Sequence, residues 1–178
     1  MKYCFLSAFF FGLLLVLVAP ISAQTPIPAG ASYEVGFSPG GTSLQVVEKF
    51  INEAHRELLM AAYELTSYPI AKALIRAEQR GVRVEIVADA KAARQHSSKV
   101  RFLAHHGIPV RLNGRYAIHH HKFMVADGKS LETGSFNYSE AAVKRNAENA
   151  LVLWNIPSLA NRYRTEWLRL WNEAQPVS

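Results

Sequence analysis

The stretch from His119 to Asp127 carries the side chains best suited to chemistry, since it opens with three consecutive histidines and a lysine. Alternate side chains of a β-strand lie on the same face, so His120 and Lys122 point one way and His119 and His121 point the other. An imidazole can attack phosphorus, and a fixed ammonium beside it can neutralise the non-bridging oxygens of a phosphate. The pattern predicts a phosphate-reactive site at His120 and Lys122.

Four further positions follow this pair. Asp127 lies five residues beyond Lys122 and, along an extended strand, about 23 Å from His120, so we interpret it as a turn residue of a hairpin rather than a reacting group. Gly134 would permit close backbone approach. Ser135 and Asn137 share a face if their segment is extended, and a hydroxyl and an amide suit phosphate oxygens. An ordinary loop is the alternative for this second segment.

The run of histidines also raises the possibility of a metal site, to which His105 and His106 would add. Against it, Lys122 would repel a cation, and no acid or cysteine falls at the usual ligand spacing. We therefore predict no metal and no cofactor, and we assign His119 and His121 to structural or substrate-contacting roles.

The elements around these residues alternate between strands and helices in the first half of the chain, which predicts an α/β domain with a largely parallel sheet. Asp127-Gly128 between two strand-like runs predicts a hairpin in the second half, and Thr42 with Gln45 resembles a helix capping box. The predicted strands cover 33–38, 58–63, 82–88, 108–112, 116–126, 131–133 and 150–154. The predicted helices cover 42–54, 69–80, 97–106, 139–145 and a final segment from 157.

The amino-terminal segment has the composition of a secretory signal peptide, with Lys2 before a long apolar run and small residues at Ser22 and Ala23. We predict a signal over 1–23, a linker over 24–32 and a single catalytic domain over 33–174, so that the protein is exported and is periplasmic or secreted. A retained membrane anchor is the alternative. The sole cysteine, Cys4, falls within the predicted signal, so the mature chain would form no disulfide.

The charge balance is basic. The formal net charge is +6, or +5 without Lys2, because no acid precedes Glu34. This favours polyanions such as nucleic acid or anionic lipid, although a merely soluble basic protein has the same composition. Eight cations could follow a phosphate backbone: Lys91, Arg94, Lys99, Arg101, Arg111, Arg115, Lys144 and Arg145. Of these, we predict Arg115 as a direct substrate contact.

The spacing of the chemical residues resembles the signature of the phospholipase D superfamily. Its parts are His120-x-Lys122, then Asp127 after four residues, and Gly134-Ser135-x-Asn137 after six more. The size, the export signal and the single copy of the motif resemble the small bacterial periplasmic endonuclease branch. The resemblance implies a mixed sheet sandwiched between helices and a metal-independent phosphodiesterase.

The resemblance also implies roles. His120 would attack phosphorus and form a phosphohistidine that water then hydrolyses, while Lys122 and Asn137 hold the phosphate oxygens and Ser135 supports that contact. Asp127 and Gly134 would be structural supports. In the family a downstream acid holds the second nitrogen of the nucleophilic histidine, and Glu148 is at the matching position.

Cleavage of a phosphodiester needs both a nucleophile and an acid for the leaving oxygen. Larger family members carry two motifs, whereas this chain carries one, so the resemblance implies an isologous homodimer with a shared active site. Either subunit's Glu148 could serve a given His120.

Three functions fit these observations. The first is an endonuclease that cleaves single- and double-stranded DNA with little sequence preference, through phosphate-backbone contacts. The second is a phospholipase D acting on phospholipid head groups, for which Phe123, Met124 and Phe136 could supply an apolar surround. The third is a non-catalytic module that binds polyanions.

Overall fold

The computed structural model describes residues 24–177, and the predicted signal peptide over 1–23 lies outside them. The described chain forms one eight-stranded sheet with the spatial order β1-β7-β6-β5-β2-β3-β4-β8. The strands are β1 Ser32–Ser38, β2 Glu57–Ala62, β3 Arg83–Asp89, β4 Val110–Asn113, β5 Lys122–Ala126, β6 Ser130–Gly134, β7 Glu148–Trp154 and β8 Gln175–Pro176.

Helices cover both faces of this sheet, because its central strands are apolar on both sides. The helices are α1 Thr42–Asn52, α2 Tyr68–Gln79, α3 Val100–His105, α4 Glu140–Lys144 and α5 Pro157–Asn172. The larger core lies on the face of α1, α2 and α3 and contains Phe50, Leu74 and Ile86. The smaller core, on the face of α5, contains Phe123 and Trp167. The prediction of a mixed sheet between helices is confirmed.

The parallel part of the sheet is smaller than predicted. Within residues 24–177, β2, β3 and β4 run parallel, whereas the other five strand pairings are antiparallel. The crossover helices that parallel strands require occur only in the first half of the chain, as α2 and α3. In the second half, tight turns connect antiparallel strands. One of them is Asp127-Gly128, in which both residues have positive φ, as expected for a two-residue hairpin.

Local predictions failed where side chains redirect the backbone. Thr42 does not cap α1, because its hydroxyl accepts a hydrogen bond from the Phe37 N–H and donates one to the Phe37 carbonyl, and Gly41 occupies the capping position instead. Residues 116–121, predicted as strand, form a loop before β5. Helix α3 is shorter than the predicted 97–106, and β8 was not predicted.

The topology gathers several chain segments at one end of the sheet. The carboxyl ends of β1, β2, β3, β4 and β6 and the amino ends of β5 and β7 lie at this end. Loops leaving parallel strands at their carboxyl ends are where α/β folds place their sites. In the part of the chain that the structure describes, no helix combines the length and apolar character needed to span a bilayer.

Candidate active site

His120 and Lys122 lie together at this end of the sheet, held around the ring of Tyr63. The His120 ring is exposed, and its centroid is 4.6 Å from that of Tyr63. The Lys122 Nζ lies 5.1 Å from the Tyr63 centroid and donates a hydrogen bond of 2.8 Å to the His120 carbonyl. The Tyr63 main chain is attached to the histidine loop, because its N–H donates to the His121 carbonyl. The local sequence around the histidines gave no signal for Tyr63, which follows β2 and is brought in by strand pairing.

Lys122 is buried, which makes its ammonium a poorly hydrated charge. Burial lowers its pKa from the usual value, while the nearby carboxylates of Glu148 and Glu64 act in the opposite direction. A desolvated ammonium interacts more strongly with an incoming anion than a hydrated one does. Its position beside the exposed imidazole therefore suits a phosphate whose oxygens need neutralising.

His119 and His121 lie on the opposite side of the chain from His120, as the alternation predicted. Their rings meet edge to face at 5.7 Å, and His121 also lies 3.5 Å from a carboxylate oxygen of Glu166. Only 2% of His119 is exposed. Its burial, and next its proximity to His121, lower its pKa to about 4. The burial of this imidazole favours the structural role, one of the two that the sequence left open for His119, although the residue also lines a cavity beside His120.

Asp89, which the sequence analysis overlooked, fixes the histidine loop. Its buried carboxylate accepts hydrogen bonds from the N–H groups of Lys91 and Ala92 on one oxygen and from the N–H of His119, at 2.8 Å, on the other. The bond to His119 ties the loop over 116–121 to the end of β3. Its place at the end of β3 was the only available signal.

The Gly134–Asn137 segment packs tightly against the start of β7. A Cβ atom on Gly134 would lie 2.2 Å from the Asn149 carbonyl oxygen, so only glycine fits. The Ser135 hydroxyl accepts a hydrogen bond from the Asn149 N–H, and the Ser135 N–H donates to the Asn149 side chain. The Asn137 Oδ1 is buried without a hydrogen-bond partner. The segment is therefore a loop fixed against β7.

Asp127 is far from the reacting end, and its contacts are structural. Its carboxylate accepts hydrogen bonds from the N–H groups of His55, Arg56 and Glu57, at 2.8 to 3.4 Å. The side chain thus fastens the β5–β6 hairpin to the chain entering β2. This long-range attachment goes beyond the turn role that its sequence position indicates.

Glu148 begins β7 at the site end, and Arg115 follows β4 there. One Glu148 carboxylate oxygen accepts a hydrogen bond of 3.0 Å from the Asn146 side chain. Among residues 24–177 of this single chain, Glu148 has no hydrogen bond to His120. Arg115 is exposed, with a guanidinium nitrogen 3.7 Å from Glu173 of α5, and it lines neither of the cavities that flank His120.

Two cavities flank His120. The larger, of about 490 Å³, lies between β5, β6 and α5 and is lined by His120, His121, Lys122, Phe123, Thr133, Gly134, Leu159, Arg162, Tyr163 and Glu166. The smaller, of about 320 Å³, lies towards Tyr116 and Arg169. Within the described residues no group of three or more His, Cys, Asp or Glu side chains is placed to hold a metal ion.

The family description of the cardiolipin synthase, PLD-like domain matches residues 47–171, which include every part of the motif. The chain belongs to the phospholipase D superfamily. Among curated relatives, phospholipase D of Rickettsia conorii is 36% identical over 132 residues, which cover 74% of this chain and 66% of that protein. The mitochondrial cardiolipin hydrolase of Canis lupus familiaris is 30% identical over 91% of this chain and 63% of its own length. The chain thus spans just under two thirds of these relatives.

Two solved structures have the same fold as this chain. Nuc of Salmonella typhimurium, a phospholipase D family member, aligns with a TM-score of 0.81 and 38% identity, over 83% of this chain and 98% of that one. NucT of Helicobacter pylori aligns with a TM-score of 0.76 at 19% identity, over 83% and 99%. Membership in this superfamily supports a phosphodiester hydrolase, and both nuclease and phospholipid substrates fit it.

Proposed function

We propose that the protein is a metal-independent phosphodiesterase that cleaves single- and double-stranded DNA with little sequence preference, as a homodimer with a shared site. The observation that carries this proposal is the exposed His120 imidazole beside the buried Lys122 ammonium. The two groups lie at the sheet end where the Gly134–Asn137 loop approaches. A nucleophile and an anion-binding cation are the minimum for in-line attack on a phosphodiester.

The reaction has two steps. In the first, a His120 ring nitrogen attacks phosphorus, the P–N bond forms and the P–O bond to the leaving nucleoside breaks, while an acid protonates the departing oxygen. In the second, water attacks phosphorus, the P–N bond breaks, and the water proton returns to the acid. Lys122 and Asn137 hold the non-bridging oxygens, Ser135 keeps its loop against β7, and Glu148 of the same or the partner subunit orients the imidazole.

The acid is assigned to a second copy of His120. Within one described chain, His119 is buried and has a pKa of about 4, and the Lys122 ammonium already donates to a carbonyl. His121 lines the larger cavity together with His120, but its ring lies against the Glu166 carboxylate and the buried His119 ring. A two-fold axis beside His120 would bring a protonated imidazole from the partner to the leaving oxygen, and each site would then use both subunits.

The distribution of cations supports DNA as the substrate. Lys91 and Arg94 follow the end of β3, Arg115 follows β4, and Lys144 and Arg145 precede β7. All five cations therefore lie in segments that connect strands at the end of the sheet where His120 lies. Cations spread around a site, without a module that reads base edges, favour contact with the phosphate backbone. This chain also covers 98% of Salmonella Nuc, a phospholipase D family member, which fits the small single-motif branch that the sequence resembles.

A phospholipid substrate is the second candidate, favoured by the cavity between β5, β6 and α5. Phe123, Leu159 and Tyr163 give one side of this cavity an apolar lining that could receive an acyl or head-group portion. The curated relatives named phospholipase D and mitochondrial cardiolipin hydrolase also support this reading.

One experiment separates the candidates. The purified protein and its His120→Ala variant are incubated in chelator with plasmid DNA, with phosphatidylcholine vesicles and with cardiolipin vesicles. We expect nicking of the plasmid by the wild-type protein and a loss of more than about 1000-fold in the variant, because the nucleophile is absent. Release of lipid head groups without nicking of the plasmid would indicate that the substrate is a phospholipid and not DNA. DNA retention without cleavage would indicate a binding module.

We also propose that the protein is exported, because residues 1–23 have the composition of a secretory signal peptide. The test is the amino-terminal sequence of the protein recovered from the periplasm or medium of an expressing Gram-negative cell. A start near Gln24 is expected, and recovery of only uncleaved protein from the membrane fraction would favour a retained anchor.

A further inference from the structure

An exposed aromatic ring at the start of α2 is flanked by two lysines. Tyr68, the first residue of α2, is 49% exposed. The Lys72 Nζ lies 4.7 Å from the centroid of its ring, and the Lys99 Nζ lies 6.0 Å from it. On α3 the Phe102 ring lies 6.0 Å from the Tyr68 ring, and the His106 ring lies 4.3 Å from that of Phe102. We call these five residues the α2–α3 surface.

Cations predominate around the α2–α3 surface. Lys99 lies near Glu140 of α4, but the Glu140 carboxylate is paired with Lys144 and also interacts with Arg145. Three cations thus share this one acid, and the exposed Lys72 adds a further positive charge. A surface of this charge attracts the phosphate backbone of a nucleic acid.

The α2–α3 surface adjoins the catalytic end of the sheet through the loop between β2 and α2. At the start of this loop Tyr63 contacts the His120 ring, and Tyr68 follows at its end. Within the loop the Leu65 carbonyl accepts a hydrogen bond of 2.8 Å from the Lys99 N–H, which fixes α3 beside it. The exposed ring and the reacting imidazole therefore lie at the same end of the sheet.

The flat ring favours a single-stranded nucleic acid over a duplex or a lipid bilayer. In a single strand each base has a face free to stack on an aromatic side chain, whereas in a duplex the bases stack on one another. Binding to a bilayer surface requires several protruding apolar side chains. In α2 and α3, Tyr68 is the only large apolar side chain that is exposed.

We propose that the α2–α3 surface is an accessory binding site for single-stranded DNA, in which a base stacks on Tyr68 and the adjoining phosphates bind Lys72 and Lys99. Because these groups do not touch the reacting atoms, the site lowers the KM for single strands and leaves kcat unchanged. Stacking on a ring does not depend on the base, which agrees with cleavage of little sequence preference. The inference rests on the proposed function for the identity of its ligand.

The test measures binding apart from cleavage, by fluorescence anisotropy in chelator and in a His120→Ala background. The three ligands are a labelled oligothymidylate, a labelled abasic strand of the same length, and a labelled duplex. In this background Tyr68 is changed to Ala, Leu and Phe, and Lys72 and Lys99 are each changed to Gln. The matched charge control is Lys129→Gln, an exposed lysine in the turn between β5 and β6, at the opposite end of the sheet. Thermal melting measures folding.

We expect Tyr68→Ala and Tyr68→Leu to weaken oligothymidylate binding by at least about 5-fold, while Tyr68→Phe keeps the ring and binds as the parent does. All three should bind the abasic strand and the duplex as the parent does, because these ligands offer no free base. Lys72→Gln and Lys99→Gln should weaken binding of both single strands. Each should lower the slope of log Kd against log salt concentration by about 0.7, and Lys129→Gln should not.

Oligothymidylate binding that is unchanged in Tyr68→Ala and Tyr68→Leu would overturn the inference, and so would an equal loss on the abasic strand. A parent protein that binds the abasic strand as tightly as oligothymidylate would also overturn it, without reference to the folding of any variant. If the ring is required for binding but the wild-type protein cleaves no DNA, the nuclease proposal fails while the single-strand site stands.

Discussion

At the residue scale, the central feature is the Tyr63 ring shared by the two reacting side chains. The ring contacts the His120 imidazole and also lies near the Lys122 ammonium. An aromatic face attracts a cation and limits its movement. Tyr63 is therefore a positioning residue for both groups, acting through them and not on the substrate.

We predict that Tyr63→Ala lowers kcat by about 10- to 100-fold, because a displacement of about 1 Å at a reacting group has effects of this size. Tyr63→Phe keeps the ring and should retain most of the activity. Steady-state cleavage of a short oligonucleotide measures both variants, with melting curves as the control for folding. Equal losses in the two variants would assign the function to the hydroxyl and contradict a positioning role for the ring.

At the scale of elements, the β5–β6 hairpin is attached to the chain entering β2 by the Asp127 carboxylate. Three backbone N–H groups donate to it. Asp127 has φ of 54°, which aspartate and asparagine tolerate better than alanine. The residue combines a turn conformation with charge-assisted hydrogen bonds, so its loss affects both.

We predict that Asp127→Ala lowers the free energy of unfolding by about 3 kcal/mol, and Asp127→Asn by about 1 kcal/mol, because the amide keeps one acceptor. Urea unfolding measures both values. Cleavage per folded molecule should remain near that of the wild type, because Asp127 is remote from His120. A large fall in kcat with unchanged stability would instead place Asp127 in the reaction.

Features that depend on neighbouring residues could be predicted from the sequence, whereas those that depend on strand pairing could not. The alternation of His119 to Lys122, the Asp-Gly hairpin and the glycine requirement at Gly134 follow from local rules, and the structure has all three. Tyr63 and Asp89 could not be found in this way, because they approach the histidines through strand pairing. The loop over 116–121 was predicted as strand, because its attachment to the Asp89 carboxylate joins residues that are distant in sequence.

At the scale of the whole molecule, stability depends on a buried acid in the larger core. Glu132 of β6 is fully buried. Burial raises its pKa to about 8, opposed by a hydrogen bond of 2.7 Å from the Tyr138 hydroxyl. The folded chain keeps this proton between about pH 4.5 and 8 while the unfolded chain has lost it. The unfolded state then binds fewer protons, so this group's contribution to stability falls as pH rises through that window.

We predict that Glu132→Gln removes this dependence. The clean interval is pH 6.5 to 8, because below it His119, with a pKa of about 4 in the folded chain, changes stability in the opposite direction. From pH 6.5 to 8 the wild type should lose free energy of unfolding on the order of 1–2 kcal/mol relative to Glu132→Gln, as measured in urea. If the free energies of unfolding of the two proteins changed equally with pH, Glu132 would already be ionised in the folded chain.

The measurement closest to the central claim is capture of the covalent intermediate. Quenching in alkaline detergent within milliseconds of mixing the protein with a labelled DNA oligonucleotide should trap a DNA–protein adduct on His120. Its bond should be labile in acid and stable in base, as expected for a phosphoramidate, and the adduct should be absent from His120→Ala. An active wild type that forms no adduct, or an adduct that persists in His120→Ala, would contradict nucleophilic attack by this imidazole.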